Sequence, residues 1–282
     1  MPLDLDRLQN TSAVAYRQWR PTLRYLMEVE VHVYAFAMAA NVLLSFFPFL
    51  IVMVSVCRNL LHWQAAEEAI FLALKDYFPS DFERIFLPYL QWRIPRGFQF
   101  GSILLLLFTA NGVFEPLEVA LNRAWGIKEN RSFFRNQLVS LGLIFACGSL
   151  VLASFLITAL NPLKRTGDVW LSLMVFKLVA LPITILALFL IYWRLPNAKV
   201  PAVRVAPVAV VVGVLLELLK HVNLWTWPYL NRKLEREMGP FVHSTSIILW
   251  AFLASMVVLA GANWAARAPQ AAEAAAHDSS AG

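Results

Sequence analysis

Charge is scarce in this chain: Asp, Glu, Lys and Arg make up 15% of its 282 residues, against roughly 25% in a typical soluble domain. That scarcity excludes an ordinary water-soluble protein. Glycine is also sparse, at 11 residues, so the apolar excess is neither an elastomer nor a low-complexity tract. The only cysteines, Cys57 and Cys147, fall in or beside apolar runs, which argues against a disulfide framework or a thiolate metal site. They read as small buried apolar side chains. The five histidines, at 32, 62, 221, 243 and 277, form no H-x-H or H-x-x-x-H pair. A metal-dependent nuclease needs such closely spaced ligands, and the H-E-x-x-H, G-x-G-D and G-x-S-G patterns of intramembrane hydrolases are missing too. No catalytic residue, metal or cofactor is expected, and the chain does not read as an enzyme. The opening MPLDLDRLQN lacks a basic start leading into an apolar core, so no cleaved leader is expected.

What the chain has in abundance is apolar surface, 59% of its residues. The stretches 31–57, 136–163 and 238–266 carry no charged residue, and each exceeds the roughly 20 residues needed to cross a hydrocarbon core. Three further stretches are interrupted by isolated charges. Together they predict an all-α polytopic transmembrane bundle of about six spans, at 31–57, 97–120, 136–162, 169–193, 205–225 and 243–266, because helices satisfy their own backbone in lipid. A single membrane domain over 1–267 follows, with a flexible tail over 268–282.

Six spans place both termini on one side. With the termini inside, the two short cytoplasmic loops hold seven Lys and Arg, from Arg123 to Arg135 and from Arg194 to Arg204, against five in the two short outer loops. The positive-inside bias therefore favours cytoplasmic termini and an inner-membrane location. The net charge of +6 is mostly this topological signal, and no basic stripe points to a nucleic-acid partner. In the segment 12–30, Trp19, Leu23, Leu26 and Val29 recur at helical spacing among Arg17, Arg20 and Arg24, which suits an interfacial helix. A helical hairpin over 64–92 is expected to pack as an outer lid.

The polar residues inside the spans are the candidate site. Asn111, Glu115, Glu118 and Asn122 fall at i, i+4, i+7 and i+11, on one helical face. Pro116 removes a backbone donor beside the two carboxylates, and Pro48, Pro116 and Pro182 are expected to kink their spans. Asn41 and Ser45 share a face of the first span. Glu217 and Lys220 form an i, i+3 pair on the fifth, and Lys177 adds a cation on the fourth. These groups are expected to line a substrate or proton pathway in the bundle. Glu115 lies deeper than Glu118 and is expected to face inward as the proton carrier. The alternative is that the polar groups sit at helix ends or act as interhelical glue.

Several segments resemble the YihY/BrkB family of bacterial inner-membrane proteins, once labelled a ribonuclease. Residues 39–50, AANVLLSFFPFL, resemble the family's first-span signature. Residues 120–126, ALNRAWG, are similar to its segment after the second span. Residues 192–197, YWRLPN, are similar to the exit from the fourth, and Gly261-Ala262-Asn263 falls where the sixth span ends. The resemblance covers residues 20 to 267, with Asn41 standing where an aromatic residue is expected and Asn263 where an acidic one is common. It implies a link to the envelope and to the movement of lipids or their precursors. The expected partners are therefore membrane lipids, with a lipid or amphiphilic anion as substrate. The competing expectation is a non-transporting envelope scaffold.

Overall fold

The structure is a computed structural model that describes residues 20–62, isolated positions between 64 and 74, and residues 96–127, 133–159 and 169–280. Six long helices dominate it: α1 (Val29–Ser55), α2 (Arg96–Ala124), α3 (Phe133–Ala159), α4 (Val169–Arg194), α5 (Ala202–Met238) and α6 (Val242–Ser280). No strand occurs among the described residues.

Each helix packs on its neighbour in sequence, and α1 against α6 closes the set into a ring, with α2 also touching α6. Large apolar side chains point outward around this ring. Phe36, Leu104, Leu138, Phe145 and Leu218 are all more than half exposed, a pattern that lipid satisfies and water does not. By length and composition, Val29–Asn59, Ala202–Met238 and Val242–Arg267 are sufficient to cross a membrane, and shorter apolar stretches occupy Leu138–Leu150 and Ala180–Arg194. The fold is a helical membrane bundle.

Small residues set the helix approaches. A Cβ added to Gly112 of α2 would collide with the side-chain amide of Asn41 on α1. Gly213 of α5 meets Ile185 of α4, and Gly261 of α6 meets Val212 together with the Tyr192 hydroxyl. Glycine permits these close contacts because it has no Cβ to hold the backbones apart.

The interior divides into two apolar clusters. One gathers Tyr25, Val31, Leu117, Leu121, Tyr192 and Leu195 with residues of α5 and α6 at the end of the bundle nearest the chain termini. The other joins Leu50, Met53, Val54 and Cys57 to Trp227 and Ile247 at the opposite end.

Four departures from expectation have local causes. The N-terminal helix is described from Arg20 and ends at Leu26; Glu28 is extended, with φ −71° and ψ 133°, and α1 starts afresh at Val29. The expected interfacial helix over 12–30 is therefore broken before its end, and its first part lies outside the described residues. At the far end of α1 the helix widens into a π-turn over Val56–Leu60, closed by Leu61 N–H donating to the Val56 carbonyl at 2.9 Å.

The fifth helix outruns its expected span of 205–225. Across Ala202–Met238 its 37 residues extend about 55 Å at 1.5 Å per residue, well past a hydrocarbon core of about 30 Å. Its charged C-terminal turns support themselves, with Lys233 and Glu237 4.0 Å apart. It stops only at Gly239, where φ is +51° and Pro240 follows. The residues of the expected tail up to Ser280 are helical in continuation of α6. Five of the six residues over 271–276 are alanine, which has the highest helix propensity.

Where the 58–96 segment is described, its first arm is helical. Ile70 and Leu74 bury against the second cluster. Arg58 ties the arm to α1, its Nε donating to Glu67 Oε2 at 3.3 Å. The rest of the expected hairpin, from 75 to 92, lies outside the described residues.

Candidate functional site

The polar stripe on α2 is divided by burial. Glu118 is 4% exposed and Asn122 2%, whereas Glu115 is exposed. The expectation that Glu115 faces inward is thus corrected: the buried carboxylate is Glu118. Three residues apart on a helix is a turn of 60° around the axis, and the edge of the buried arc falls between the two. Glu115 is farther from the helix end, but depth along the axis is not burial around it. Pro116, between them, lies within a continuous helix. The side chain of Asn111 lies outside the described residues.

Asn122 has a specific partner. Its Oδ1 accepts the backbone N–H of Asn197 at 2.8 Å, in the short loop between α4 and α5. Leu195 and Pro196 of that loop are themselves buried. The loop is thereby sealed onto the end of α2. Ser140 of α3 is also buried, at 1% exposure. Polar groups from neighbouring helices thus collect at this end of the bundle.

On α1, Asn41 and Ser45 are half-buried and bond to their own helix. Asn41 Nδ2 donates to the Ala37 carbonyl at 2.9 Å, and the Ser45 hydroxyl to that of Val42 at 3.1 Å. Asn41 also fills the space that Gly112 leaves on α2, so its role includes packing. Pro48 is buried within an unbroken α1.

On α5, Glu217 of the expected pair also has His221 as a neighbour. The Glu217 carboxylate lies 3.8 Å from His221 Nδ1, one helical turn on, and that nitrogen is 2.8 Å from the Glu217 carbonyl. Both Glu217 and Lys220 are half-buried. Because α5 packs chiefly on α4 and α6, they stand apart from the α1–α2 pair. On α4 the Lys177 side chain lies outside the described residues, and Pro182 is exposed within a continuous helix.

A charged rim surrounds the terminal end. Arg123 at the foot of α2 pairs with Glu30 at the start of α1, and Arg267 Nη2 donates to the Pro21 carbonyl at 2.8 Å. The start of the described chain therefore meets α6 at Arg267. Tyr25 sits beneath this rim. Its hydroxyl is pushed up to about 12, first by burial and then by Glu28 and Tyr34, with Arg123 and Arg267 acting in the opposite direction.

Three of the four segments that resemble the family converge here. Asn122 joins 120–126 to 192–197 through its bond to Asn197. Tyr192 joins 192–197 to 261–263: its hydroxyl donates to the Val258 carbonyl at 2.7 Å, and a Cβ on Gly261 would lie 2.8 Å from that oxygen. A family model described as "Virulence factor BrkB" matches residues 22–281. The chain belongs to the BrkB family. Relatives of the chain include UPF0761 membrane proteins of Acinetobacter baylyi, 32% identical over 57% of this chain and 39% of the relative, and of Prosthecochloris aestuarii, 27% identical over 81% of this chain and 55% of the relative. A third, from Teredinibacter turnerae, is 25% identical over 57% of this chain and 38% of its own length. The chain thus spans about half or less of the length of these curated relatives. No solved structure matches it. As a BrkB-family protein with these relatives and outward apolar faces, it is an integral membrane protein.

Sequence reasoning missed the Tyr192–Gly261 contact, although both residues lie in segments that resemble the family. A buried tyrosine beside a glycine 69 residues away has no local pattern. It also missed the cations that gather around the 195–200 loop, taking them only as a topological count.

Proposed function

We propose that this BrkB-family protein moves a lipid, lipid precursor or amphiphilic anion across the bacterial inner membrane, with both termini cytoplasmic, by transport and not by chemistry on its cargo. The observation that carries the reading is the burial of Glu118, at 4% exposure, beside Asn122 on the inner face of α2. Ionisable groups within a membrane bundle are costly and mark substrate or ion pathways more often than ordinary packing. Glu118 takes the role first expected of Glu115, as the group that meets the cargo or a coupling proton.

A second reading, a non-transporting envelope scaffold, has its own support. Asn122 is committed to Asn197, and Asn41 and Ser45 bond to carbonyls of their own helix, all as structural contacts. Proteoliposomes containing a fluorescent phosphatidylglycerol separate the two. Transport predicts loss of the inner-leaflet label to an external quencher well above the protein-free rate, and scaffolding predicts the protein-free rate.

A further inference from the structure

A groove runs between α5 and α6 and meets the N-terminal helix at one end. Leu23 and Leu26 of that helix, Val211 and Leu219 of α5, and Leu253 and Trp264 of α6 mark its extent. It holds about 280 Å³, and the described residues that line it are apolar apart from Thr22 at the rim. Leu23 and Leu215 of the lining are exposed, so the groove opens on the outer, lipid-facing side of the bundle.

Its length and depth match one leaflet. From Trp264 to Leu253 it follows about three turns of α6, or about 16 Å at 1.5 Å per residue. Half a hydrocarbon core of about 30 Å is about 15 Å. Leu253 falls near the middle of Val242–Arg267, a stretch long and apolar enough to cross a membrane, and Trp264 stands beside the charged rim. The groove thus reaches from the terminal surface of the bundle to the bilayer centre.

The N-terminal helix that closes the rim is fastened in place. Arg267 Nη2 donates to the Pro21 carbonyl at 2.8 Å, and Thr22 and Tyr25 are buried. Its other side carries exposed Leu23 and Met27 beside exposed Arg20 and Arg24, the arrangement of a helix lying at the boundary of headgroups and acyl chains. Cations at that level face lipid phosphates, and an interfacial Trp suits the glycerol region. Below it the surrounding medium is hydrocarbon, and an apolar crevice open to hydrocarbon takes up a chain. We propose that the groove holds one acyl chain of a membrane phospholipid, its ester end at Thr22 and Trp264 and its tail toward Leu253. The site goes beyond the transport reading, because holding a chain requires no movement across the membrane.

The test is photolabelling of the full chain in liposomes by phosphatidylglycerol with a diazirine either at the chain end or next to the ester, with labelled residues located by peptide mass spectrometry. The chain-end probe is expected to label Leu215, Leu219 and Leu253, and the ester-proximal probe Thr22, Leu23 and Trp264. Each should exceed at least tenfold the labelling of Leu138 and Phe145, exposed residues of α3 that meet passing lipid. Ala260 lines the groove, and Ala260→Phe should cut groove labelling at least tenfold while leaving that of α3 unchanged. The two-probe pattern in wild type decides by itself if that variant fails to fold. The proposal is overturned if the groove is labelled no more than α3, as passing lipid or coverage by residues 1–19 would give. It is equally overturned if both probes label the same residues, or if a folded Ala260→Phe protein labels like wild type. Groove labelling in a protein that moves no lipid strikes the transport reading alone.

Discussion

The side-chain oxygen of Asn122 accepts the backbone N–H of Asn197 across 75 residues of chain, at 2.8 Å. The bond fixes the α4–α5 loop to the end of α2. Since Asn122 is 2% exposed, no water compensates for its loss. Asn122→Ala is expected to lower stability by about 1–3 kcal/mol, the cost of leaving a buried donor unsatisfied. Thermal unfolding in detergent measures it, and an unchanged midpoint would show that the loop is held by apolar packing alone.

The contact between Gly112 and Asn41 leads to a second prediction. Gly112→Ala drives a methyl into the Asn41 amide and should destabilise the α1–α2 pair by about 1–3 kcal/mol. Gly101→Ala on the same helix meets nothing within 4 Å and should be neutral or stabilising, by up to about 1 kcal/mol. Pairing Gly112→Ala with Asn41→Ala should recover much of the loss. Equal melting of the Gly101 and Gly112 variants would remove the close approach from the account.

Alkaline pH tests the rim. Burial pushes the Tyr25 hydroxyl up to about 12 from the 10 of an unperturbed tyrosine, so the folded state favours the neutral hydroxyl. A raised value means that this stability is fully present below about pH 10 and is lost as pH rises toward 12. Unfolding midpoints at pH 8.5 and 11 should therefore fall further in wild type than in Tyr25→Phe. An identical fall in both proteins contradicts the burial of that hydroxyl.

The bundle was legible because charge-free runs of helical length leave few other folds in lipid. The resemblance of four short segments pointed to the family. What escaped were relations that no local pattern encodes. Asn197 contributes a backbone N–H, which every non-proline residue carries. The exchange of Glu115 for Glu118 turns on 60° around one helix, set by where α1, α3 and α6 lie. The charged end of α5 lies past its expected span of 205–225, and the Ala-rich end of α6 falls in the tail over 268–282 that was expected to be flexible. Their local propensity and i, i+4 pairing keep them helical.

The most direct measurement is the rate of inner-leaflet phosphatidylglycerol movement in proteoliposomes of wild type, Glu118→Gln and Glu115→Gln. Gln keeps the size and hydrogen bonding of each side chain but removes its charge and its exchangeable proton. The account predicts that Glu115→Gln moves lipid within about twofold of wild type, whereas Glu118→Gln falls at least tenfold, equivalent to about 1.4 kcal/mol in the barrier. A Glu118→Gln protein as active as wild type, or a wild type no faster than empty liposomes, would contradict it.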